Sequence, residues 1–319
     1  MKKIISLLLV MILMLSCGIC ALASEEKPYE RPYLEKDGFK IVNNVVYEKS
    51  GKSYKVIDFF ATEEAAKTST KIVIVSKIDS LPVTSIECYD TQEDWFTRNI
   101  PNTTVKEIVL PDTIKGIGEG TFYGFEAVEK LNIPKSLKYI GRAAFHYVKS
   151  LKKLKLPDTV TNIGEEAFSA MLSLEKFTFP SKIKDIPYGV LSSCHSLEKV
   201  TFKGNVKTIG AVSFADCKNL KSITIPKTVK EIGNEAFAHC KKLSKVVLKC
   251  YKAPELQNNA FYRTKKGIRF QVRTRAIAKQ FKKQLKEKEK GTNKAKIYVG
   301  KKLIYKNITD DYWRRIKKN

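Results

Sequence analysis

Histidine is scarce in this sequence, and the motifs that usually place it in an active site are missing. The 319 residues contain three histidines, and neither His-Glu-x-x-His nor Gly-x-Ser-x-Gly occurs. A zinc protease or a hydrolase built on those motifs is therefore excluded. His146, His195 and His239 also stand at three different positions of the repeat described below, so they do not converge with cysteines on one metal ion. We predict no catalytic residue, no metal and no cofactor.

Long hydrophobic runs are also missing. The longest apolar stretch, Ile4–Leu15, is shorter than the roughly 20 residues that span a membrane. Two lysines precede it and small residues follow, which is typical of a secretory signal peptide, residues 1–23, cleaved after Ala23. Lipid attachment at Cys17 is the alternative, and it would need a leucine where Met14 stands. Because no Leu-Pro-x-Thr-Gly sorting motif occurs, we expect any retention at the cell surface to be non-covalent.

Cysteines are few, and their number is odd after the predicted cleavage. Of seven cysteines, five lie beyond residue 23, which argues against a complete disulfide framework. Cys194, Cys217 and Cys240 stand 23 residues apart. Because cysteine packs as a small hydrophobe, this spacing favours a ladder of buried free thiols over a disulfide or a metal site.

Acidic residues are far fewer than basic ones. The chain has 33 Asp and Glu against 59 Lys and Arg, a net charge of +26, or +24 once Lys2 and Lys3 are removed with the signal peptide. The excess is greatest in residues 264–319, which contain 20 Lys and Arg against 4 Asp and Glu. Such a charge indicates anionic partners and has little bearing on fold. Because we expect secretion, intracellular nucleic acid is not among the predicted partners.

A repeat of 23 residues dominates the rest of the sequence. From Cys194 to Cys240, the apolar residues of one unit recur 23 positions later in the next. The phenylalanine column continues in both directions, with Leu191 replacing one member and one extra residue before the last: Phe122, Phe145, Phe168, Phe214, Phe237 and Phe261. This period with Leu-x-x-Leu-x-Leu spacing marks a leucine-rich-repeat solenoid. We predict a mainly β, curved right-handed coil of 23-residue repeats.

A single unit shows how each turn of the solenoid should be built. In residues 151–157 the three leucines are expected to point inward from a short concave strand, while Lys153 and Lys155 face solvent. Gly164 is interpreted as a turn residue and Phe168 as a core side chain. One unit cannot bury its own apolar face, so stacking of units must form the core.

Segments of other kinds flank the regular repeats. We predict an N-terminal β cap at residues 24–70, with a hairpin at Phe39–Tyr47, and the solenoid at residues 71–272. The first rung is irregular, and its insertion at residues 87–104 is interpreted as packing over the core or as a binding loop. A basic C-terminal cap and tail, helical and β, should occupy residues 273–319.

The C-terminal cap is predicted to be a helix followed by a hairpin. A helix over Arg275–Lys290 places its apolar side chains on one narrow stripe that should dock on the last rung. Gly300 is expected at the turn of the hairpin, and Trp313–Lys318 forms a basic, aromatic end.

The repeat consensus resembles a known family. Residues Ile223–Leu243, ITIPKTVKEIGNEAFAHCKKL, resemble the BspA-like (Treponema-type) leucine-rich repeats of bacterial surface proteins. The resemblance covers about residues 71–272, and Ile268–Val272 with the following helix is similar to that family's end cap. It implies a secreted or surface-displayed interaction protein, and some relatives bind host extracellular-matrix proteins. The resemblance indicates the fold and leaves the partner open.

The candidate binding site is a column of solvent-facing lysines on the predicted concave strands. Glu107 and Ser222 interrupt the column, and one lysine joins it from the adjacent slot. The candidate ligand-binding residues are Lys130, Lys153, Lys155, Lys176, Lys199 and Lys245. Because stacked strands lie about 4.7–4.9 Å apart, these ammonium groups should form a ridge suited to a polyanion such as a sulfated glycan, a wall polymer or an acidic protein face. Alternatively, the lysines only keep the protein soluble.

These observations predict a non-enzymatic, secreted or surface-associated binding protein. Its concave lysine-rich face would engage an extracellular protein or an anionic glycan, as in adhesion, and the mature chain would have no transmembrane span. The alternative is a structural protein of the cell envelope that its basic tail retains on anionic wall polymer.

Overall fold

The computed structural model describes residues 39–60, 63–88, 102–289 and 294–308. These residues belong to one compact unit that spans residues 38–319. The predicted signal peptide lies outside the described residues. So do most of the predicted insertion at 87–104 and the basic tail beyond residue 308.

Antiparallel strands open the described chain: β1 (Phe39–Val42), β2 (Val45–Ser50) and β3 (Ser53–Asp58). Asn43 and Asn44 form the turn between β1 and β2, with φ of 52° and 63°. Asparagine tolerates this left-handed conformation, which a two-residue hairpin turn requires. The predicted hairpin is therefore confirmed.

The N-terminal strands continue directly into the repeats. A short helix, Glu63–Thr68, is followed by β4 (Lys71–Val73), β5 (Lys77–Ile78) and β6 (Leu81–Ile86). Strand β3 pairs with β6 in parallel, so the N-terminal sheet and the solenoid share one hydrogen-bonded ladder. The exposed edge that an isolated solenoid end would present is thus covered.

Each turn of the solenoid contributes strands to two faces. The long-strand face begins with β4 and continues with β7 (Glu107–Val109), β9 (Lys130–Leu131), β12 (Lys176–Phe179), β14 (Lys199–Phe202), β16 (Ser222–Ile225), β18 (Lys245–Leu248), β20 (Arg269–Val272), β21 (Ala295–Val299) and β22 (Lys302–Ile308). The short-strand face begins with β6 and continues with β8 (Gly116–Ile117), β10 (Tyr139–Ile140), β11 (Asn162–Ile163), β13 (Asp185–Ile186), β15 (Thr208–Ile209), β17 (Glu231–Ile232) and β19 (Glu255–Leu256). Strands of successive repeats pair in parallel, as expected for a solenoid.

The strand predicted within residues 151–157 does not form. An isolated bridge between Lys153 and Lys176 is the only pairing found there among the described residues. This causes a break between β9 and β12. A second break lies between β14 and β16, so the face consists of the sheets β4-β7-β9, β12-β14 and β16-β18-β20-β21-β22. The unit contains only leucine and lysine where β12 and β14 have phenylalanine, valine and threonine, and those residues favour strands more strongly. The inward leucines and outward lysines are nevertheless placed as predicted.

A ladder of aromatic rings runs through the core. Ring centroids of neighbours lie 4.8–6.2 Å apart along the whole series: Phe59, Phe122, Phe145, Phe168, Phe177, Phe179, Phe214, Phe237, Phe261, Phe270 and Phe281. Where Leu191 replaces phenylalanine, the ladder passes through Phe177 and Phe179 instead, which occupy leucine slots of the strand. Such ring pairs contribute about 0.5–1.5 kcal/mol beyond their burial.

Gly164 is not a turn residue, so that prediction was wrong. It lies between β11 and the turn at residues 165–170, and its φ is not positive. A Cβ atom at this position would lie 2.4 Å from the backbone nitrogen of Arg142 and 2.6 Å from the carbonyl carbon of Gly141. Glycine is required here because the backbones of successive units touch.

The turns themselves are made largely by other residues. Two left-handed residues, four positions apart, occur in unit after unit, for example Ala143 and Tyr147 with φ of 49° and 60°. This conformation costs a non-glycine residue about 1–2 kcal/mol. The N–H group of Ala143 donates to the carbonyl oxygen of Glu165 in the next unit at 2.9 Å, and equivalent bonds recur along the stack. Hydrogen bonds between units therefore offset the local strain.

The predicted C-terminal helix is confirmed at Arg275–Lys288. The Thr274 side chain caps its start by accepting a hydrogen bond from the N–H of Ile277 at 3.2 Å. The apolar stripe of Ile277, Phe281 and Leu285 is buried, and the helix packs against β19 to β22. The predicted hairpin is confirmed as β21 and β22, with Gly300 at φ 59° in its turn.

A buried carboxylate ends the stack of turns. In the preceding unit, the N–H of Phe237 donates to the carbonyl oxygen of Ala260 at 2.7 Å. The equivalent N–H of Phe261 donates instead to the two carboxylate oxygens of Glu289, at 3.0 and 3.2 Å. Glu289 follows the C-terminal helix and is 1% exposed. It thus replaces the carbonyl oxygen of a further repeat, a role the sequence pattern did not reveal.

The cysteines of the repeat form the expected ladder of free, buried thiols. Each thiol donates to a carbonyl oxygen of the preceding unit at 3.1–3.2 Å: Cys194 to Phe168, Cys217 to Leu191 and Cys240 to Phe214. Burial raises the pKa of Cys194 to about 12 and raises that of Cys217 as well. The thiolate, which is the reactive form, is thereby suppressed.

We expect this burial to make stability fall at alkaline pH. Because the folded chain keeps its Cys194 proton while the unfolded chain releases it near pH 9, unfolding becomes easier from about pH 9 to pH 12. Between pH 8 and pH 10 the loss should be about 1.4 kcal/mol for this thiol. Urea unfolding of wild type and Cys194→Ala at both pH values measures it, since the variant lacks the titrating group. Equal pH dependence in the two proteins would contradict the prediction.

Candidate functional site

The structure assembles the predicted lysines on the long-strand face, where all six are exposed: Lys130, Lys153, Lys155, Lys176, Lys199 and Lys245. Lys153 lies opposite Lys176, which in turn lies opposite Lys199. The interruptions are also in register, with Glu107 opposite Lys130 and Ser222 opposite Lys245. Lys155 stands two residues farther along its own chain segment and adds a charge beside the column.

The column is longer than the sequence pattern indicated. Lys71 lies opposite Glu107 at one end, and Arg269 lies opposite Lys245 at the other, followed by Lys296. These three positions fall outside the strict 23-residue period. Arg269 lies 24 residues after Lys245, because the extra residue that displaces Phe261 also precedes Arg269. Allowing for that insertion, the sequence pattern could have placed Arg269 in the column. Lys296 belongs to a strand that joins the sheet only after the helix, and no periodicity points to it.

Few carboxylates neutralise this column. Lys71 and Glu107 form an ion pair with 3.1 Å between nitrogen and oxygen. In the part of the chain that the structure describes, no carboxylate oxygen lies within 4.0 Å of the ammonium nitrogen of any of the six candidate lysines. Glu198, next to the column, pairs with Lys221 at 3.4 Å instead. Exposure and salt weaken the repulsion between the lysines, so the fold tolerates the uncompensated charge.

Two shallow depressions lie on this face, on either side of the unit that lacks a strand. The larger has a volume of about 510 Å³, and its charged lining residues are Glu107, Glu129, Lys130 and Lys153. The smaller has a volume of about 330 Å³, and its charged lining residues are Lys152, Lys153, Lys155, Lys176, Lys203 and Glu175. The two differ in charge because the first has as many glutamates as lysines.

The histidines do not contribute to this face. His146 is half-buried on the turn side, with ring centroids of Tyr123 and Tyr147 at 5.1 and 4.5 Å. Burial lowers its pKa to about 4, so it is neutral at physiological pH. Among the described residues, no group of three or more His, Cys, Asp or Glu side chains is placed to hold a metal ion. The uncompensated charge of the candidate site therefore comes from lysine side chains.

The repeats match a known family. The profile described as "BspA type Leucine rich repeat region" matches residues 100–221 and 139–269 in six copies. Together the matches span residues 100–269, more than half of the chain. A search of curated proteins finds no significant match.

Solved structures share the fold. A leucine-rich repeat protein from Bacteroides ovatus is 23% identical, with a TM-score of 0.56, and the alignment covers 75% of this chain and 66% of that one. A leucine-rich cell surface protein from Faecalibacterium prausnitzii is 21% identical, with a TM-score of 0.59, and the alignment covers 77% and 66%. This chain therefore spans slightly less than two thirds of either protein. At these identities the likeness shows a leucine-rich-repeat solenoid, as predicted.

No helix in the described ranges has the length and apolar character needed to cross a bilayer. Repeat proteins of this kind generally act in protein interaction and are generally not enzymes. Because six repeats match the family profile over more than half of the sequence, the chain belongs to the BspA-type leucine-rich-repeat family.

Proposed function

We propose that this chain is a secreted or surface-associated, non-enzymatic binding protein whose long-strand face engages an anionic glycan or an acidic extracellular protein. The observation that carries the proposal is the uncompensated column of lysines. Lys153, Lys176 and Lys199 lie opposite one another on successive units, so their charges add along one line. The signal-peptide pattern and the family support an extracellular location.

The experiment compares two variants with the same loss of charge on different faces. The first replaces Lys130, Lys153, Lys176 and Lys199 with serine. The control replaces four exposed lysines next to the short strands: Lys115, Lys138, Lys184 and Lys207. Binding of residues 24–319 to heparin and to matrix proteins is titrated against salt for wild type and both variants.

We expect only the first variant to lose most of its affinity for heparin. Each lysine–anion contact removed should also reduce the slope of log K against log salt by roughly one. Equal losses in both variants would mean that net charge alone attracts the polymer. Unchanged binding in the first variant would reject the long-strand face as the site.

The alternative function is retention on anionic wall polymer by the basic C-terminal region. The 20 Lys and Arg of residues 264–319 favour it. Deleting residues 291–319 does not test it cleanly, because that deletion removes β21, which pairs with β20. Truncation after Ile308 with Lys279→Ser and Lys283→Ser keeps the sheet. Lost wall retention with unchanged heparin binding would separate the two functions.

A further inference from the structure

The unit at residues 151–157 interrupts the long-strand face at the centre of the lysine column. Its contact with the next strand is the bridge between Lys153 and Lys176. Two depressions of this face border this unit and share Lys153. The surface is therefore concave on both sides of this unit.

Charge separates the two depressions. The larger one has two glutamates for its two lysines, so it offers no net attraction to an anion. The smaller one, called here the lysine depression, has five lysines and one glutamate. Five cationic side chains converge there because Lys152 and Lys155 flank the column member Lys153, and Lys176 and Lys203 approach from later units. The smaller depression is thus the one suited to an anion.

Most of these lysines form no ion pair in the described chain, although the hydrogen bond from Lys203 and, to a smaller extent, the charge of Lys155 lower the pKa of the Asp158 carboxyl group. Lys203 is the exception, because its ammonium nitrogen lies 2.9 and 3.1 Å from the two carboxylate oxygens of Asp158. No carboxylate oxygen of a described residue lies within 4.0 Å of the ammonium groups of Lys152, Lys153, Lys155 or Lys176. A ligand with a single negative charge would leave most of this positive charge unbalanced.

The remaining lining fits a sugar ring. Thr178 is exposed and supplies a hydroxyl group, and the largely buried Leu154 and Leu156 complete the lining. A volume of about 330 Å³ is at the lower end of the range for small-ligand sites, which begins near 300 Å³. A depression of this size, lined by lysines and a hydroxyl group, suits one charged saccharide unit.

We propose that the lysine depression binds one sugar unit carrying two or more sulfate or phosphate esters, as part of a longer anionic polymer that follows the lysine column. This inference rests on the proposed function and adds a specific position and ligand chemistry to it. Several esters on one ring place multiple charges within a few ångströms, as the converging lysines require. Lysine binds such groups as a point charge and needs no planar geometry.

The test uses compact anions that occupy one depression and cannot span the column. Sucrose octasulfate and inositol hexakisphosphate are titrated calorimetrically into residues 24–319, with sucrose as the neutral control. The test variant is Lys152→Ser with Lys155→Ser. The matched control is Lys184→Ser with Lys207→Ser, two exposed lysines next to the short strands that lie outside both the depression and the lysine column. Circular dichroism and thermal unfolding verify that both variants fold.

We expect one compact anion per chain, with affinity reduced by about tenfold or more in the test variant and little changed in the control. Whichever of the two compounds binds more tightly would show whether the depression prefers sulfate or phosphate esters. Equal losses in both variants, or none in the test variant, would overturn the inference. If wild type binds heparin and neither compact anion, the inference fails and the proposed function stands. If wild type binds none of them, both fail.

Discussion

Replacing Phe237 with alanine should lower the free energy of unfolding by about 3–5 kcal/mol. Its ring is fully buried and stacks between Phe214 and Phe261, with centroids 5.2 and 5.3 Å away. Alanine would remove the ring from the middle of the ladder and leave a cavity. The flanking backbones cannot close this cavity, because hydrogen bonds between units fix their spacing. Urea unfolding followed by circular dichroism measures the loss.

Tyr188→Ala is the control for this prediction, since Tyr188 is 44% exposed on the same repeat stack. We expect its cost to stay below about 1 kcal/mol, as for most exposed positions. If Phe237→Ala costs no more than Tyr188→Ala, the aromatic ladder is not a main source of stability. A separate early transition in Phe237→Ala would show that the units C-terminal to the cavity unfold first, as nearest-neighbour coupling in solenoids predicts.

Gly164→Ala should destabilise the chain by about 3 kcal/mol, at the upper end for overpacking, because the added methyl group meets backbone. The nearest atoms to its Cβ would be backbone atoms of Arg142 and Gly141, at 2.4–2.7 Å. Backbone cannot move aside as a flexible side chain does, so the two units must separate. Thermal and urea unfolding of the variant test this.

The same substitution at Gly120 separates steric contact from backbone conformation. Gly120 has φ of 59°, and a Cβ atom there would meet nothing within 4 Å. Gly120→Ala should therefore lower the free energy of unfolding by only about 1 kcal/mol, because alanine is less stable than glycine in the left-handed conformation. If the two variants are equally destabilised, close approach of units is not the reason for glycine at position 164.

Periodicity accounts for what could be predicted about the candidate site. Because every unit has the same length, residues 23 apart lie opposite each other, and the sequence already places Lys153, Lys176 and Lys199 in one column. The alternation of leucine and lysine determines which side chains face solvent. The missing strand at residues 151–157 could not be predicted in this way, because pairing depends on how well neighbouring strands fit and not on the period alone.

The sequence by itself determined the solenoid, its register, its buried phenylalanine and cysteine columns and the solvent-facing lysines. These follow from local pattern, since stacking identical units turns sequence spacing into spatial adjacency. Only the tertiary structure decided where the pattern breaks. The cap that Glu289 forms and the extension of the column to Lys296 depend on contacts between segments that share no repeat register. The path of the ladder around Leu191 and the lysine depression arise where a unit in register departs from the common pattern. Packing and hydrogen bonding bring together residues that are out of register, and the spacing of residues in the sequence does not predict those contacts.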